Sequence, residues 1–255
     1  MRGLLLLPLA VLLSGCGDSK QPAAPSHAAQ SVEVAIAPPP PPPPPAPTAA
    51  EWQAAVEGAF TKKDPKTKDG VTHYGACFDA PDGGKSECLL TDYDAFKKSF
   101  HMRGLYTAVT ESTPLAHYLG SSIVVVGCNL PRLVMRPTFY GDTWIFLNNV
   151  AILADGVVVW ERSLPRDSIQ QDTESFRKVR VIERGMAILN QDELNVFKKL
   201  AESKQLTIRL TGDKGYVTLP KNDVANFKQD LELALNAHAR LTQALQGKCA
   251  GTCRA

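Results

Sequence analysis

An unbroken run of eight prolines, at residues 38–45, is the feature that most limits how this chain can fold. Proline holds φ at about −65° and lacks a backbone N–H, so the run fits neither a helix interior nor a central strand. We expect an extended polyproline II rod that rises about 3 Å per residue. The run therefore divides the chain into a short N-terminal segment and a much longer C-terminal one.

The residues on both sides of the run are too poor in large apolar side chains to build a core. Residues 17–50 are rich in Ala, Pro and Ser, and their few β-branched apolar residues are Val32, Val34 and Ile36. Such a segment cannot bury enough apolar surface to offset the entropy of ordering the chain. We therefore predict that residues 16–50 form a disordered Pro-rich tether. A proline-rich ligand for a partner domain is the alternative interpretation.

The first sixteen residues have the organisation of an export signal. Arg2 precedes an apolar run at residues 4–13, which is broken by Pro8 and is too short to span a bilayer. The run ends in the sequence Leu-Ser-Gly-Cys at residues 13–16. This motif resembles the lipobox of bacterial lipoproteins, in which the signal peptide, here residues 1–15, is removed. An ordinary cleaved signal with a chance cysteine is the alternative.

The resemblance implies a lipidated protein that is held on a membrane and faces the periplasm. Cys16 would become the first residue of the mature chain and would carry acyl chains such as palmitate. Each buried methylene contributes about 0.8 kcal/mol, so two or three acyl chains anchor a protein stably. In well-studied lipoproteins an Asp directly after the lipidated cysteine marks retention in the inner membrane. Gly17 takes that place here, so we expect the outer membrane rather than the inner one.

The charge balance excludes one class of partner. Loss of Arg2 with the signal peptide lowers the formal net charge from +2 to +1. A nucleic-acid partner normally requires a strongly basic face, so we predict that nucleic acid is not a partner. Beyond residue 16 the sequence contains no long apolar run, and we expect a soluble body in an oxidising compartment.

Hydrophobic periodicity in residues 51–255 predicts a single α+β domain with a mostly antiparallel sheet and a long C-terminal helix. The predicted helices cover residues 52–60, 91–100, 190–201 and 220–246. Strand patterns begin at residue 105 and follow in residues 123–126, 133–140 and 179–182. Three hairpins are predicted at residues 71–90, 144–161 and 206–218. The order of elements from Trp144 onward resembles domains of uncharacterised periplasmic lipoproteins, which implies no activity.

Three local patterns complete the predicted fold. Residues 61–70 carry four lysines among Asp and Pro, which indicates a solvated loop, with a membrane-surface patch as the alternative. Residues 165–176 are polar and also predict a loop. Pro137 cannot donate to a β-ladder and therefore predicts a strand end or an edge strand.

Five cysteines remain once Cys16 is acylated, and they can form two pairs in several ways. We predict one disulfide between Cys77 and Cys88 across the first hairpin, and a second between Cys249 and Cys253. Cys128 is then expected to be a free, buried thiol. A bridge from Cys128 to one of the two C-terminal cysteines is the main alternative, because it would join the last helix to the sheet.

No pattern in the sequence predicts catalysis, a metal or a cofactor. His73, His101, His117 and His238 are scattered singly, without the spacing of a metal site. The sequence Gly-Lys-Ser at residues 84–86 matches the end of a phosphate-binding loop, but the leading glycine and the following helix are missing. A nucleophilic role for Cys128 is disfavoured because buried thiols are usually inert. We therefore assign no catalytic residue, no metal ligand and no cofactor.

The sequence instead suggests a binding surface for another envelope protein. Arginine and large aromatic side chains supply much of the energy at protein interfaces. The candidate partner-binding residues are Arg177, Lys178, Arg180, Tyr140 and Trp160. A solvated basic face with a core tryptophan is the alternative for this set.

We predict a membrane-anchored periplasmic lipoprotein that acts as a non-catalytic protein-binding or structural module of the cell envelope. One alternative is an immunity or inhibitor lipoprotein that neutralises a toxic envelope hydrolase. The other alternative is an envelope hydrolase or thiol enzyme.

Overall fold

The computed structural model describes residues 47–79, 86–113, 116–175, 178–246 and 248. These residues belong to one compact unit, Pro44–Ala255. The signal peptide, the lipidated Cys16 and nearly all of the tether lie outside the described residues, as do Arg177 and the predicted Cys249–Cys253 pair. The α+β fold predicted for the body is confirmed, with antiparallel sheets and a long C-terminal helix.

Nine of the described strands form one large sheet. They are β1 (Thr61–Lys68), β2 (Val71–Phe78), β3 (Glu87–Asp94), β4 (Ser99–Arg103), β5 (Tyr118–Val126), β6 (Arg132–Gly141), β9 (Gln170–Glu174), β10 (Arg180–Arg184) and β11 (Ala187–Ile188). Strands β1 to β6 follow one another as an antiparallel meander, so their connecting turns alternate between the two ends of the sheet. Beyond β6, the edge of the sheet is continued by β10 and then β9.

Four further strands form a smaller antiparallel sheet in the order β13-β12-β7-β8. They are β7 (Leu147–Ala154), β8 (Val157–Ser163), β12 (Leu206–Gly212) and β13 (Gly215–Thr218). The predicted hairpin turn between β7 and β8 is confirmed. Asp155 and Gly156 both have positive φ, at 49° and 86°, which matches the right-handed twist of the flanking strands.

The helices are α1 (Ala49–Gly58), α2 (Leu105–Ser112), α3 (Gln191–Glu202) and α4 (Lys221–Leu245). Helix α4 packs on β5 of the large sheet and on β12 of the small one, and it also contacts the other three helices. Its buried stripe recurs at helical spacing and consists of Val224, Phe227, Leu231, Ala234, Ala237, Leu241 and Leu245. Each large side chain in the stripe stabilises the fold by about 1.5–3 kcal/mol through burial.

Two N-terminal helix caps follow from local sequence. Asn190 accepts a hydrogen bond from the backbone N–H of Glu193, whose carboxylate in turn accepts from the Asn190 N–H, and this reciprocal pair forms a capping box at the start of α3. Thr48 and Glu51 form the same reciprocal pair at the start of α1.

The prediction of a loop at residues 61–70 is wrong, because residues 61–68 form the edge strand β1. Every residue of β1 is exposed, so the strand has no apolar alternation by which the sequence would reveal it. Its lysines, Pro65 and a bulge between Lys63 and Lys66 are the features by which edge strands avoid pairing with other chains.

The helix predicted at residues 91–100 is also wrong. Residues 91–94 continue β3, a turn follows, and β4 begins at Ser99. The Asp94 carboxylate accepts hydrogen bonds from the N–H groups of Phe96 and Lys97. Asp94 therefore stabilises a turn and does not lie at the start of a helix. Phe96 is 86% exposed, whereas Phe100 is buried.

Residues 105–112 form α2, although the sequence predicts strand there. The N-cap residue is Gly104, which has no side chain to cap the helix. The cap comes instead from Asp230 on α4, whose carboxylate accepts a hydrogen bond of 2.7 Å from the Thr107 N–H, 123 residues away in sequence. Sequence periodicity cannot reveal a cap of this kind.

Pro137 lies in the middle of β6, not at a strand end or in an edge strand as predicted. On one side of β6, β10 pairs with residues 138–141 and β11 pairs with residues 134 and 135. Pro137 falls in the gap between these partners, where its carbonyl accepts a hydrogen bond from Gly185. A backbone N–H at position 137 would point into this same gap, so its absence in proline costs the sheet no hydrogen bond.

Two further predictions need correction. Residues 165–176, expected to be a loop, contain a short 3-10 helix (Arg166–Ser168) and β9. Cys128, expected to be a free thiol, is disulfide-bonded, and its partner cysteine lies outside the described residues. A cysteine in a disulfide has no thiolate to attack a substrate, which removes the basis for a nucleophilic Cys128.

Candidate functional site

A cleft of about 730 Å³ opens on the outer face of the large sheet, beside α2. Its floor is formed by β1, β2 and β3, and one wall is formed by Ala108, Val109 and Ser112 of α2 together with Thr113, which follows the helix. Gly75 lies in the middle of the floor between Lys63 and Leu90, its neighbours on β1 and β3. Because glycine carries no side chain, the floor is depressed there. The volume falls within the range of small-molecule and peptide-binding sites.

Strand register aligns three polar residues in one row across β2, β3 and β4. His73 on β2 is paired with Asp92 on β3, and Asp92 is paired with His101 on β4. The Nδ1 atom of His73 lies 2.6 Å from an Asp92 carboxylate oxygen. The second Asp92 oxygen accepts a hydrogen bond from the Arg103 guanidinium.

The row continues into an ion-pair network beneath α2. Arg103 donates a hydrogen bond of 2.9 Å to Glu111 of α2, and Arg136 of β6 lies 3.2 Å from the other Glu111 oxygen. The side chains of Arg103 and Glu111 are largely buried. Glu111 thus joins α2 to the sheet, and the charges at the centre of the network neutralise one another.

His101 is kept neutral by this environment. Burial lowers the pKa of His101 to about 3, and the nearby guanidinium groups of Arg103 and Arg136 act in the same direction. Since a neutral imidazole has one ring nitrogen without a proton, His101 can accept the 3.5 Å contact from Arg136. Neutral His101 therefore completes the network without adding charge.

The other singly placed histidines have separate structural partners. His117 accepts a hydrogen bond from the Tyr140 N–H and stacks on Phe139, with ring centroids 4.8 Å apart. His238 of α4 lies 3.1 Å from the carbonyl oxygen of Pro131. Burial lowers the pKa of both imidazoles. Among the described residues, no group of three or more His, Cys, Asp or Glu could hold a metal ion.

The cleft combines polar groups with an exposed apolar rim. Leu90 of β3 and Val109 of α2 both line it and are 42% and 55% exposed. Lys63 and Lys66, which lie on β1, also line the cleft. A segment with an apolar side chain next to an acidic or carbonyl group would match this arrangement, because both kinds of contact are available within one site.

The predicted Cys77–Cys88 disulfide is confirmed, and it lies at one end of the cleft. The two cysteines are directly opposite each other on β2 and β3. Cys88 is exposed, whereas Cys77 is buried. The bridge therefore holds together the two strands that supply His73 and Asp92.

Three of the residues proposed from sequence as a binding surface lie together at the far edge of the large sheet. The Arg180 guanidinium lies 5.7 Å from the centre of the Tyr140 ring. Lys178 and Arg180 both bind Asp142, and these contacts lower the pKa of its carboxyl, the hydrogen bond from Lys178 most of all. The positive charge of this surface is thus partly neutralised. Arg177 lies outside the described residues.

Trp160 does not belong to that surface. It lies on β8 of the small sheet, is buried, and packs edge-on against Phe197 of α3 with ring centroids 5.0 Å apart. Its indole N–H donates to Glu193, which also binds the N-terminus of α3. Trp160 is a core residue, as the alternative interpretation had it.

The cleft was not predicted from the sequence, although the sequence carries one signal for part of it. Once Cys77 is placed opposite Cys88, antiparallel pairing places His73 opposite Asp92. That inference required β3 to continue past Leu90, where the predicted helix interrupted it. Nothing comparable in the sequence indicates Glu111 or Arg136, because α2 and β6 reach the network only through tertiary packing.

A second cavity of about 670 Å³ lies between the small sheet and the start of α4. Three lysines line it: Lys204, Lys221 and Lys228. Lys228 is engaged by the carbonyl of Ser203 and by Glu232. The contacts of this cavity serve the packing of α4 on the small sheet.

Within the described part of the chain, no helix has the length and apolarity needed to cross a membrane. Comparisons of the chain with models of protein families, with curated proteins and with solved structures found no match in any of the three.

Proposed function

We propose that this protein is a lipid-anchored module of the bacterial cell envelope that faces the periplasm and binds another envelope protein without catalysing a reaction. The anchor is supported by the resemblance of residues 13–16 to a lipobox. Binding is supported by the cleft beside α2, which is the observation that carries this proposal. The outer membrane is the proposed location, because Gly17 follows the lipidated cysteine.

The composition of the cleft favours binding. Asp92 on its floor binds both His73 and Arg103, and Arg103 also binds Glu111 of α2. Such a network fixes the shape of the floor and leaves Leu90 and Val109 as the exposed apolar contacts. A rigid polar floor with an exposed apolar rim is suited to holding an extended segment of a partner.

Site-specific photo-crosslinking in intact cells tests the proposal. A photoreactive residue replaces Ser112 at the cleft wall in one strain and the exposed Val157 of β8 in another. We expect a discrete crosslinked protein from position 112 and none from position 157. Val109→Glu should abolish the crosslink because a charge would then occupy the apolar rim, whereas Val158→Glu on β8 should leave it unchanged. A crosslink that survives Val109→Glu would contradict the assignment of the cleft.

One observation favours an envelope hydrolase as the second candidate. An imidazole that is held by a carboxylate, as His73 is by Asp92, can serve as a general base. His73→Gln distinguishes the two candidates, because it keeps the size and polarity of the side chain but has no ring nitrogen to act as a base. Loss of a hydrolytic activity with an unchanged crosslink from position 112 would favour the hydrolase.

A further inference from the structure

Three turns lie side by side at one end of the large sheet. They connect β1 to β2, β3 to β4 and β5 to β6, and a meander places these alternate turns at the same end. Backbone hydrogen bonds join them directly: the Ala95 N–H donates to the Gly70 carbonyl, and the Gly127 N–H donates to the Lys98 carbonyl. We call residues 68–70, 95–98 and 126–132 the turn rim.

The turn rim exposes large apolar side chains. Phe96 is 86% exposed, and Val126 and Leu130 are also exposed. Phe96 is held in place, because its ring lies against Gly70, where a Cβ atom would overlap it. Its backbone N–H is bound by Asp94. The aromatic ring is therefore presented outward on an ordered turn, and the other two apolar residues lie on a turn that is bonded to the same one.

The same rim is basic. Its exposed cations are Lys68, Lys97, Lys98 and Arg132. The acidic residues beside them are Asp69 and Asp94, and Asp94 is occupied by Lys97, whose Nζ lies 3.4 Å away. Cations therefore outnumber carboxylates around the exposed apolar side chains. An aromatic ring flanked by lysines is the composition with which a protein contacts the headgroup layer of an anionic bilayer.

Helix α1 begins near the same end of the large sheet as the turn rim. Trp52 near the start of α1 packs on Phe100, with ring centroids 5.6 Å apart, and Gln53 accepts a hydrogen bond from Tyr93. Tyr93 and Phe100 are paired residues next to the β3–β4 turn. The start of α1, the first helix of the body, thus lies near the end of the sheet that carries the turn rim.

We propose that the turn rim rests on the anionic surface of the membrane that carries the lipid anchor, with Phe96 among the headgroups and the lysines on acidic phosphates. The orientation rests on the proposed anchor, but the affinity of the rim for lipid does not. The rim thereby provides a second membrane contact that limits the orientations of the body. The cleft lies on the outer face of the sheet and stays accessible in this arrangement.

Vesicle sedimentation with residues 44–255 tests the proposal without the lipid anchor. This unit contains the whole described core, so we expect it to fold by itself, which circular dichroism checks. We expect binding to vesicles of phosphatidylglycerol and phosphatidylcholine, and much weaker binding to phosphatidylcholine alone. Phe96→Asp should weaken the anionic binding at least about tenfold, and so should Lys97→Glu combined with Lys98→Glu.

Matched controls distinguish an effect of the rim residues on lipid binding from a general effect of surface charge or hydrophobicity. Lys198→Glu with Lys199→Glu reverses two adjacent exposed lysines on α3, and Val157→Asp alters an exposed apolar residue on β8. Both controls should bind like the unmodified body. Equal binding to neutral and anionic vesicles, no binding at all, or equal losses in the controls would each overturn the proposal. Since the fragment lacks Cys16, these results are independent of whether the anchor exists.

Discussion

Asp230 provides the sharpest test of how this fold is held together. It lies on α4, is only 5% exposed, and its carboxylate binds the Thr107 N–H in the first turn of α2. Asp230→Ala leaves that buried N–H without an acceptor and removes the cap of a helix whose N-cap residue is Gly104. An unsatisfied buried donor costs about 1–3 kcal/mol, and a lost N-cap costs about 1 kcal/mol within that range. We expect a loss of about 2 kcal/mol in the free energy of unfolding.

Asp230→Asn is the matched variant, because the amide oxygen can still accept the hydrogen bond from Thr107. Burial raises the pKa of Asp230 above its ordinary value of 3.8, although hydrogen bonds from Thr107 oppose the shift. The native state therefore binds the proton more tightly than the unfolded state, and this group's contribution to stability falls as pH rises through the folded pKa. The Asn variant lacks this loss, so its stability relative to the wild type should rise as the pH increases from the ordinary Asp value of 3.8 through the raised folded pKa.

Urea unfolding followed by circular dichroism measures both effects, and the midpoint and slope are compared at each pH. Gly104→Ala provides an independent check, because an added Cβ atom would overlap the Asp230 carboxylate. It should destabilise the protein even though Asp230 is retained. If Asp230→Ala and Asp230→Asn lowered stability equally at neutral pH, the hydrogen bond to Thr107 would not be the reason that α2 forms.

The remaining predictions concern the anchor, the tether and the disulfides. Cys16→Ser should abolish incorporation of a labelled fatty acid, and undiminished label would contradict the lipobox assignment. Replacement of residues 38–45 by Gly and Ser should leave the thermal unfolding of the body unchanged, because a spacer contacts nothing; a shift of several degrees would show packing against the body. Replacing Cys77 and Cys88 by Ser should lower the free energy of unfolding by about 2–3 kcal/mol in chemical denaturation, since a short loop is no longer closed in the unfolded state; an unchanged value would contradict this. Non-reducing peptide mapping should find Cys128 joined to a C-terminal cysteine, and a carboxymethylated Cys128 would refute the bond.

Some of the candidate site follows from local sequence. The turn residues between Cys77 and Cys88 predict the hairpin, and the pairing of these cysteines places His73 opposite Asp92. The rest of the site does not follow. Glu111 belongs to a helix that forms only with a cap from α4, and Arg136 reaches it from β6.

The sequence by itself determined those elements whose stabilising contacts are close along the chain. Helix α3 carries its own capping box, α4 carries its own apolar stripe, and the β7–β8 turn carries Asp155 and Gly156, which accept positive φ. In each case the residues that signal the element also stabilise it. The same holds for the β12–β13 hairpin, in which apolar and polar residues alternate along β12 and glycines flank the turn.

Only the tertiary structure decided the elements that depend on distant partners. The exposed strand β1 gains its backbone hydrogen bonds from β2 and has no apolar pattern of its own. Pro137 is tolerated inside the sheet because β10 and β11 leave a gap beside it. Helix α2 receives its cap from Asp230 on α4. The physical reason is the same in all three cases: the hydrogen bonds that satisfy the backbone come from residues that local pattern cannot bring near.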